Sequence, residues 1–205
     1  MSDGKPVEKH VDGARRNLLI ASCAAGGVAG VAALSPLVGS MEPSERAKAA
    51  GAPVEADISG MQVGELRTFE WRGKPVWIFR RSPEMVADLK KHDGELADPE
   101  SKRNPSELTP MAAVRNEYRS LKPEYMVAVG VCTHLGCSPT ARFAPGAQPS
   151  LPEDWPGGFL CPCHGSTFDL AGRVFKNKPA PDNLPVPEYS FLSDSKVLIG
   201  VAPKA

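Results

Sequence analysis

Two short runs constrain this chain more than anything else in it: Val131-Cys132-Thr133-His134-Leu135-Gly136-Cys137 and Cys161-Pro162-Cys163-His164-Gly165-Ser166. Each offers a cysteine and a histidine at close spacing, Cys132-x-His134 and Cys161-x-x-His164, and each carries a further cysteine, Cys137 and Cys163. Two thiolates and two imidazoles can hold either a tetrahedral zinc or a 2Fe-2S cluster with sulfur on one iron and nitrogen on the other. A zinc site closed by Cys132, His134, Cys161 and His164 leaves Cys137 and Cys163 without a role, whereas a cluster standing on two loops needs those loops held together.

In these residues the chain resembles the Rieske iron-sulfur proteins of cytochrome bc1 complexes. The resemblance implies that Cys132 and Cys161 bind one iron, that His134 and His164 bind the other, and that Cys137 and Cys163 form a disulfide. Such a bond persists only in an oxidising compartment. Ser166 matches a position whose hydroxyl bonds a bridging sulfide, and Lys178-Pro179-Ala180-Pro181 is similar to the proline loop that covers the cluster, with Lys178 where the family commonly has glycine. Phe168 departs from the many high-potential members that carry tyrosine there, so a lower potential is expected.

The charge count explains why such a centre suits quinol. Two ferric ions, two sulfides, two thiolates and two neutral imidazoles sum to zero, against minus two for an all-cysteine cluster, and a neutral centre accepts an electron more readily. The added electron leaves negative charge beside the imidazoles and favours their protonation. A histidine bound through one ring nitrogen presents the other to a substrate. The resemblance makes His164 the docking residue with Leu135 as an apolar shield beside it; the residues themselves do not rank His134 against His164.

From residue 17 to 41 the chain carries no charge, and residues 18–38 are mostly Leu, Ile, Val, Ala and Gly. About 20 such residues cross a bilayer's hydrocarbon as a helix. The flanking Arg15-Arg16 argues for a cytoplasmic N-terminus and resembles a twin-arginine export motif. A cleaved signal shares these features, but the apolar stretch exceeds a usual signal core. Gly26 and Gly30 share one helix face that a neighbouring helix can approach closely, and Cys23 reads as a small apolar filler. Residues 40–54, rich in alanine and small polar residues, read as a linker, which in the resembled family is the hinge.

Beyond the linker, 21 prolines and 19 glycines in 205 residues favour loops and short strands. Residues 65–70 and 75–80 predict a hairpin around Arg72-Gly73, and residues 83–92 a short helix opened by Pro83. Residues 93–110 read as a surface loop, with His92, like His10, exposed and ordinary. A strand over 125–131 delivers the first box, the insert at 142–159 is loop-like, strand ends flank Ala171-Gly172, and residues 189–192 pair with 196–201.

The expected architecture is therefore an all-β Rieske domain, with antiparallel sheets and a small cluster-binding subdomain at about 125–181, attached to one N-terminal transmembrane helix. The boundaries are a cytoplasmic stretch at 1–16, an anchor at 17–39, a hinge at 40–54 and the head at 55–205. The resemblance implies the iron-sulfur subunit of a quinol:cytochrome c oxidoreductase, with a Rieske-type 2Fe-2S cluster, in a dimeric, proton-translocating complex of the bacterial inner membrane with a periplasmic head. Its implied partners are cytochrome b, cytochrome c1 and quinol. Basic and acidic side chains balance at 24 each, so nothing draws the chain to nucleic acid. The alternatives are a Rieske-type carrier serving another redox enzyme, whose members in a reducing cytosol usually lack the extra cysteine pair, and a zinc-binding interaction module.

Overall fold

The uncharged N-terminal stretch folds as one helix, α1 (Gly13–Gly39), in a computed structural model that describes residues 12–103 and 112–203. Asp12 caps it by accepting from the Ala14 and Arg15 N–H groups at 3.0 and 3.3 Å, which draws Arg15-Arg16 into its first turn. Its 27 residues reach roughly 40 Å at 1.5 Å per residue, enough to cross a membrane. Every residue along it is exposed, Cys23 included. Residues 1–11, with His10, lie outside the described residues. Within the linker, Ser44 caps a short helix, α2 (Glu45–Ala50), through the Ala47 N–H at 3.2 Å. The chain divides into two compact units, residues 1–48 and 49–205, and the division falls inside α2.

Among the described residues the second unit contains three three-stranded antiparallel sheets. The first joins β1 (Val54–Asp57) to the C-terminal hairpin of β8 (Tyr189–Ser193) and β9 (Lys196–Ile199), in the order β1-β9-β8. The second is β2 (Leu66–Trp71), β3 (Lys74–Arg80) and β4 (Tyr125–Val129). The third is β5 (Thr140–Arg142), β6 (Gly158–Leu160) and β7 (Thr167–Phe168). The predicted hairpin is present, and Arg72 and Gly73 turn it with φ of 51° and 68°, the two left-handed residues that match strand twist.

Strands β3 and β4 are buried on both faces, so their alternation separates two apolar cores rather than core from solvent. Val76, Ile78, Val127 and Val129 face a core shared with Ala56, Tyr189, Val197 and Ile199 of the first sheet. Trp77, Phe79, Met126 and Ala128 face a second core that includes Phe159, Phe168, Cys132 and Cys161. Trp77 stacks on Phe159 at 4.9 Å between centroids, and Phe79 stacks on Phe143 at 4.1 Å. The central sheet is thus the floor on which the third sheet and its loops rest.

Helix α3 (Pro83–Asp88), capped by Ser82, continues as a 3-10 helix over Leu89–Glu95. His92 is half-buried rather than exposed, its Nδ1 3.0 Å from Glu95 Oε1. The reading of 93–110 as a surface loop fails over its first part: Leu96, Asp98 and Ser101 are buried. Asp98 accepts from the Lys102 and Arg103 N–H groups at 2.9 Å each, so polarity here serves interior hydrogen bonding. Residues 104–110 lie outside the described residues. The insert at 142–159 lacks strand over most of its length, as expected, yet Trp155 is buried and donates to the Arg142 carbonyl at 2.8 Å.

Candidate metal centre

The first box begins where β4 ends, because the Val131 N–H turns back onto the Val129 carbonyl at 2.8 Å and stops the ladder. Its loop closes through two bonds: Cys132 N–H donates to the Cys137 carbonyl at 2.8 Å, and Gly136 N–H to the Cys132 carbonyl at 3.0 Å. The second box links β6 to β7 and repeats that pattern. Cys161 N–H donates to the Ser166 carbonyl at 2.7 Å, and Gly165 N–H to the Cys161 carbonyl at 3.0 Å. Both loops need a left-handed residue at the same place, and Gly136 and Gly165 supply it with φ of 82° and 74°.

The loops face each other and are bridged by Cys137–Cys163, with 6.6 Å between Cα atoms. Cys132 and Cys161 are unbridged and each only 2% exposed. Burial pushes the Cys132 thiol up, the His134 N–H opposes this, and the adjacent Cys161 thiol adds to the rise. The two imidazoles lie further out: His134 is half-buried, His164 is exposed, and their rings meet edge to face with centroids 4.8 Å apart. Leu135 beside them is 72% exposed. The site is therefore polarised, with thiols inward and imidazoles outward.

Two hydroxyls tie the segment after β7 to both boxes. Buried Ser166 accepts from the Ala180 N–H at 2.9 Å. Thr133 donates to the Asp182 carbonyl at 2.6 Å. The left-handed residue that opens this segment is Asn177, with φ of 57°, rather than Lys178. Phe168 is fully buried opposite Phe159.

The turn that follows β7 is held by a network of buried arginines. Arg173 donates to Asp169 and Asp93 at 2.7 Å each and to the Leu89 carbonyl at 2.7 Å. Arg119 holds the Ala171, Gly172 and Leu184 carbonyls, and Arg81 holds those of Tyr118 and Leu170. Burial pushes Arg81 and Arg119 down to about 10 against the pull of Asp169, which leaves both charged at neutral pH. Nothing local in the sequence marks these arginines, whose partners lie up to 89 residues away.

The donor set fits a 2Fe-2S cluster. Two cysteines are consumed in the bridge, two buried thiols remain side by side, and the imidazoles complete a sulfur-and-nitrogen set on facing loops. Residues 53–190 match the family described as the Rieske 2Fe-2S domain, and residues 7–44 the one described as "Ubiquitinol-cytochrome C reductase Fe-S subunit TAT signal". The chain is 54% identical over 189 residues to the ubiquinol-cytochrome c reductase iron-sulfur subunit of Allochromatium vinosum, covering 91% of this chain and 88% of that one. It is 39% identical over 184 residues to the subunit of the same name from Bradyrhizobium diazoefficiens, covering 89% and 92%. For the Rhodospirillum rubrum subunit the identity is 40% over 190 residues, covering 92% and 93%.

Proposed function

The chain belongs to the Rieske 2Fe-2S domain family, among the iron-sulfur subunits of ubiquinol-cytochrome c reductase, and on that premise we propose that it accepts single electrons from quinol and passes them to cytochrome c1. Its cofactor is the Rieske-type 2Fe-2S cluster, which when bound supplies a one-electron couple of raised potential. Cys132 and Cys161 would hold one iron, and His134 and His164 the other. Ser166, through its hydroxyl, would donate a hydrogen bond toward the cluster's sulfur and favour the more negative state.

The observation that carries this reading is the polarity of the site: thiols 2% exposed inside, imidazoles outside. The ring nitrogen that His164 leaves free of metal receives the hydrogen bond, and then the proton, of the quinol hydroxyl. Exposed Leu135 excludes water from that contact when the head docks on cytochrome b. His134, half-buried, is the less open of the two. α1 anchors the chain in a bacterial inner membrane with Arg15-Arg16 on the cytoplasmic side and the head in the periplasm, an oxidising compartment suited to the Cys137–Cys163 bridge. The functional unit is a dimeric, proton-translocating complex with cytochrome b and cytochrome c1.

Reduced-state EPR of the membrane complex, combined with midpoint potentials measured across pH, tests the proposal. A Rieske-type signal is expected, with a potential that falls in the alkaline range by about 59 mV per pH unit, as one proton accompanies one electron. A potential that stays flat there would show that no imidazole takes up the quinol proton.

A further inference from the structure

An iron ligand of that proposed function also stands close to the disulfide beside it. The sulfurs of Cys137, Cys161 and Cys163 all lie within 4.8 Å of one another, and two of them are already bonded together. Cys161 is thus an unbridged thiol within 4.8 Å of both sulfurs of a disulfide. We propose that in the chain without its cluster Cys161 attacks this disulfide, moving the bridge to Cys137–Cys161 and releasing Cys163.

The exchange balances without any outside reagent. The Cys161 thiolate forms a bond to Cys137 Sγ, the Cys137–Cys163 bond breaks, its electron pair leaves on Cys163, and Cys163 takes up the proton that Cys161 gave away. One disulfide is consumed and one is made. Cys137 is the sulfur attacked, because a bridge between Cys161 and Cys163 would have to close over the single rigid residue Pro162. Cys163 is exposed, so its departing thiolate is solvated at once.

The consequence is an order of assembly. The new bridge removes one of the thiols that would hold iron, so a cluster-free chain with its clamp formed disables its own site. Cys161 bound to iron has no free thiolate to attack with. The cluster must therefore be in place before the clamp is oxidised.

The test uses the full chain in detergent, with the cluster removed by a chelator under argon, then held in mildly alkaline buffer. Samples are capped with N-ethylmaleimide over time and the labelled cysteines mapped by mass spectrometry. The label is expected to move from Cys161 to Cys163, with Cys23 and Cys132 labelled throughout and no movement in the loaded chain. Cys161→Ser should keep Cys137–Cys163 intact and Cys163 unlabelled. Label that stays on Cys161 overturns the proposal, as does release of Cys163 in C161S. Even labelling of Cys132, Cys137, Cys161 and Cys163 also overturns it, because that is exchange through an unfolded chain. None of these readouts depends on electron transfer, so the proposed function can fail without affecting them.

Discussion

Phe168 sits fully buried in the same core as Cys132 and Cys161, opposite Phe159 across the β6–β7 ladder. Burial there is satisfied by any aromatic ring, so the choice of phenylalanine over tyrosine is a choice about one hydroxyl. A hydroxyl donating to a ligand sulfur stabilises the more negative state, and a hydrogen bond to a charged acceptor contributes about 1.5 kcal/mol. For a one-electron couple that amounts to roughly 60 mV. Phe168→Tyr is therefore expected to raise the midpoint potential by tens of millivolts in voltammetry; an unchanged potential means that the ring only fills space. The role of Ser166 follows the same logic, and there the position was legible in sequence. What sequence did not supply was its second bond, to the Ala180 N–H, because the partner comes from a segment 14 residues on that folds back over the loop.

At the scale of elements, β4 delivers the first box and β6 the second, and their relative placement depends on one close approach. A Cβ on Gly130 would run into the indole of Trp77, and Trp77 in turn stacks on Phe159 of β6. Gly130→Ala must push this stack and β6 outward, an overpacking that costs about 1–3 kcal/mol. The expected result is a lower melting temperature together with faster loss of cluster absorbance on heating; a variant that melts like the parent would place the register under other control. The linker makes a different demand. α2 has its Ser44 cap and the Glu45–Lys48 pair at 2.8 Å, both exposed and each contributing well under the energy of a buried contact. Such a helix can melt and re-form. Prolines at Ala47 and Ala49 would remove that choice, and quinol turnover is expected to slow while the EPR spectrum of the cluster is kept. Loss of the spectrum as well would make the segment a structural part of the head.

Over the whole molecule, acid is the expected weakness. The Ser59 hydroxyl and N–H hold Asp57 below its usual 3.8, the Gln62 N–H and Arg67 hold Glu65 below its usual 4.5, and Lys122 lowers Asp194. Each carboxylate is more acidic folded than unfolded. The stability they contribute is therefore present above the ordinary values and is lost as the pH falls through the lowered ones. The melting temperature should hold from neutral pH down to about 4.5 and then drop, as followed by circular dichroism; a flat profile further into acid would assign acid stability elsewhere. The two boxes, the long apolar helix and both hairpins could be read from the sequence itself, because each rests on short-range rules: ligand spacing, an uncharged apolar run, and turn residues between alternating strands; the all-β class came with the family resemblance that the boxes carry. The tertiary structure alone decided that β3 and β4 are buried on both faces, that Asp98 and Ser101 are interior, that three buried arginines gather carbonyls and carboxylates from distant segments, and that Cys161 lies within 4.8 Å of the bridge sulfurs. Those facts depend on groups far apart in the chain meeting in space, where burial changes what a charge or a thiol does, and no local pattern encodes such a meeting.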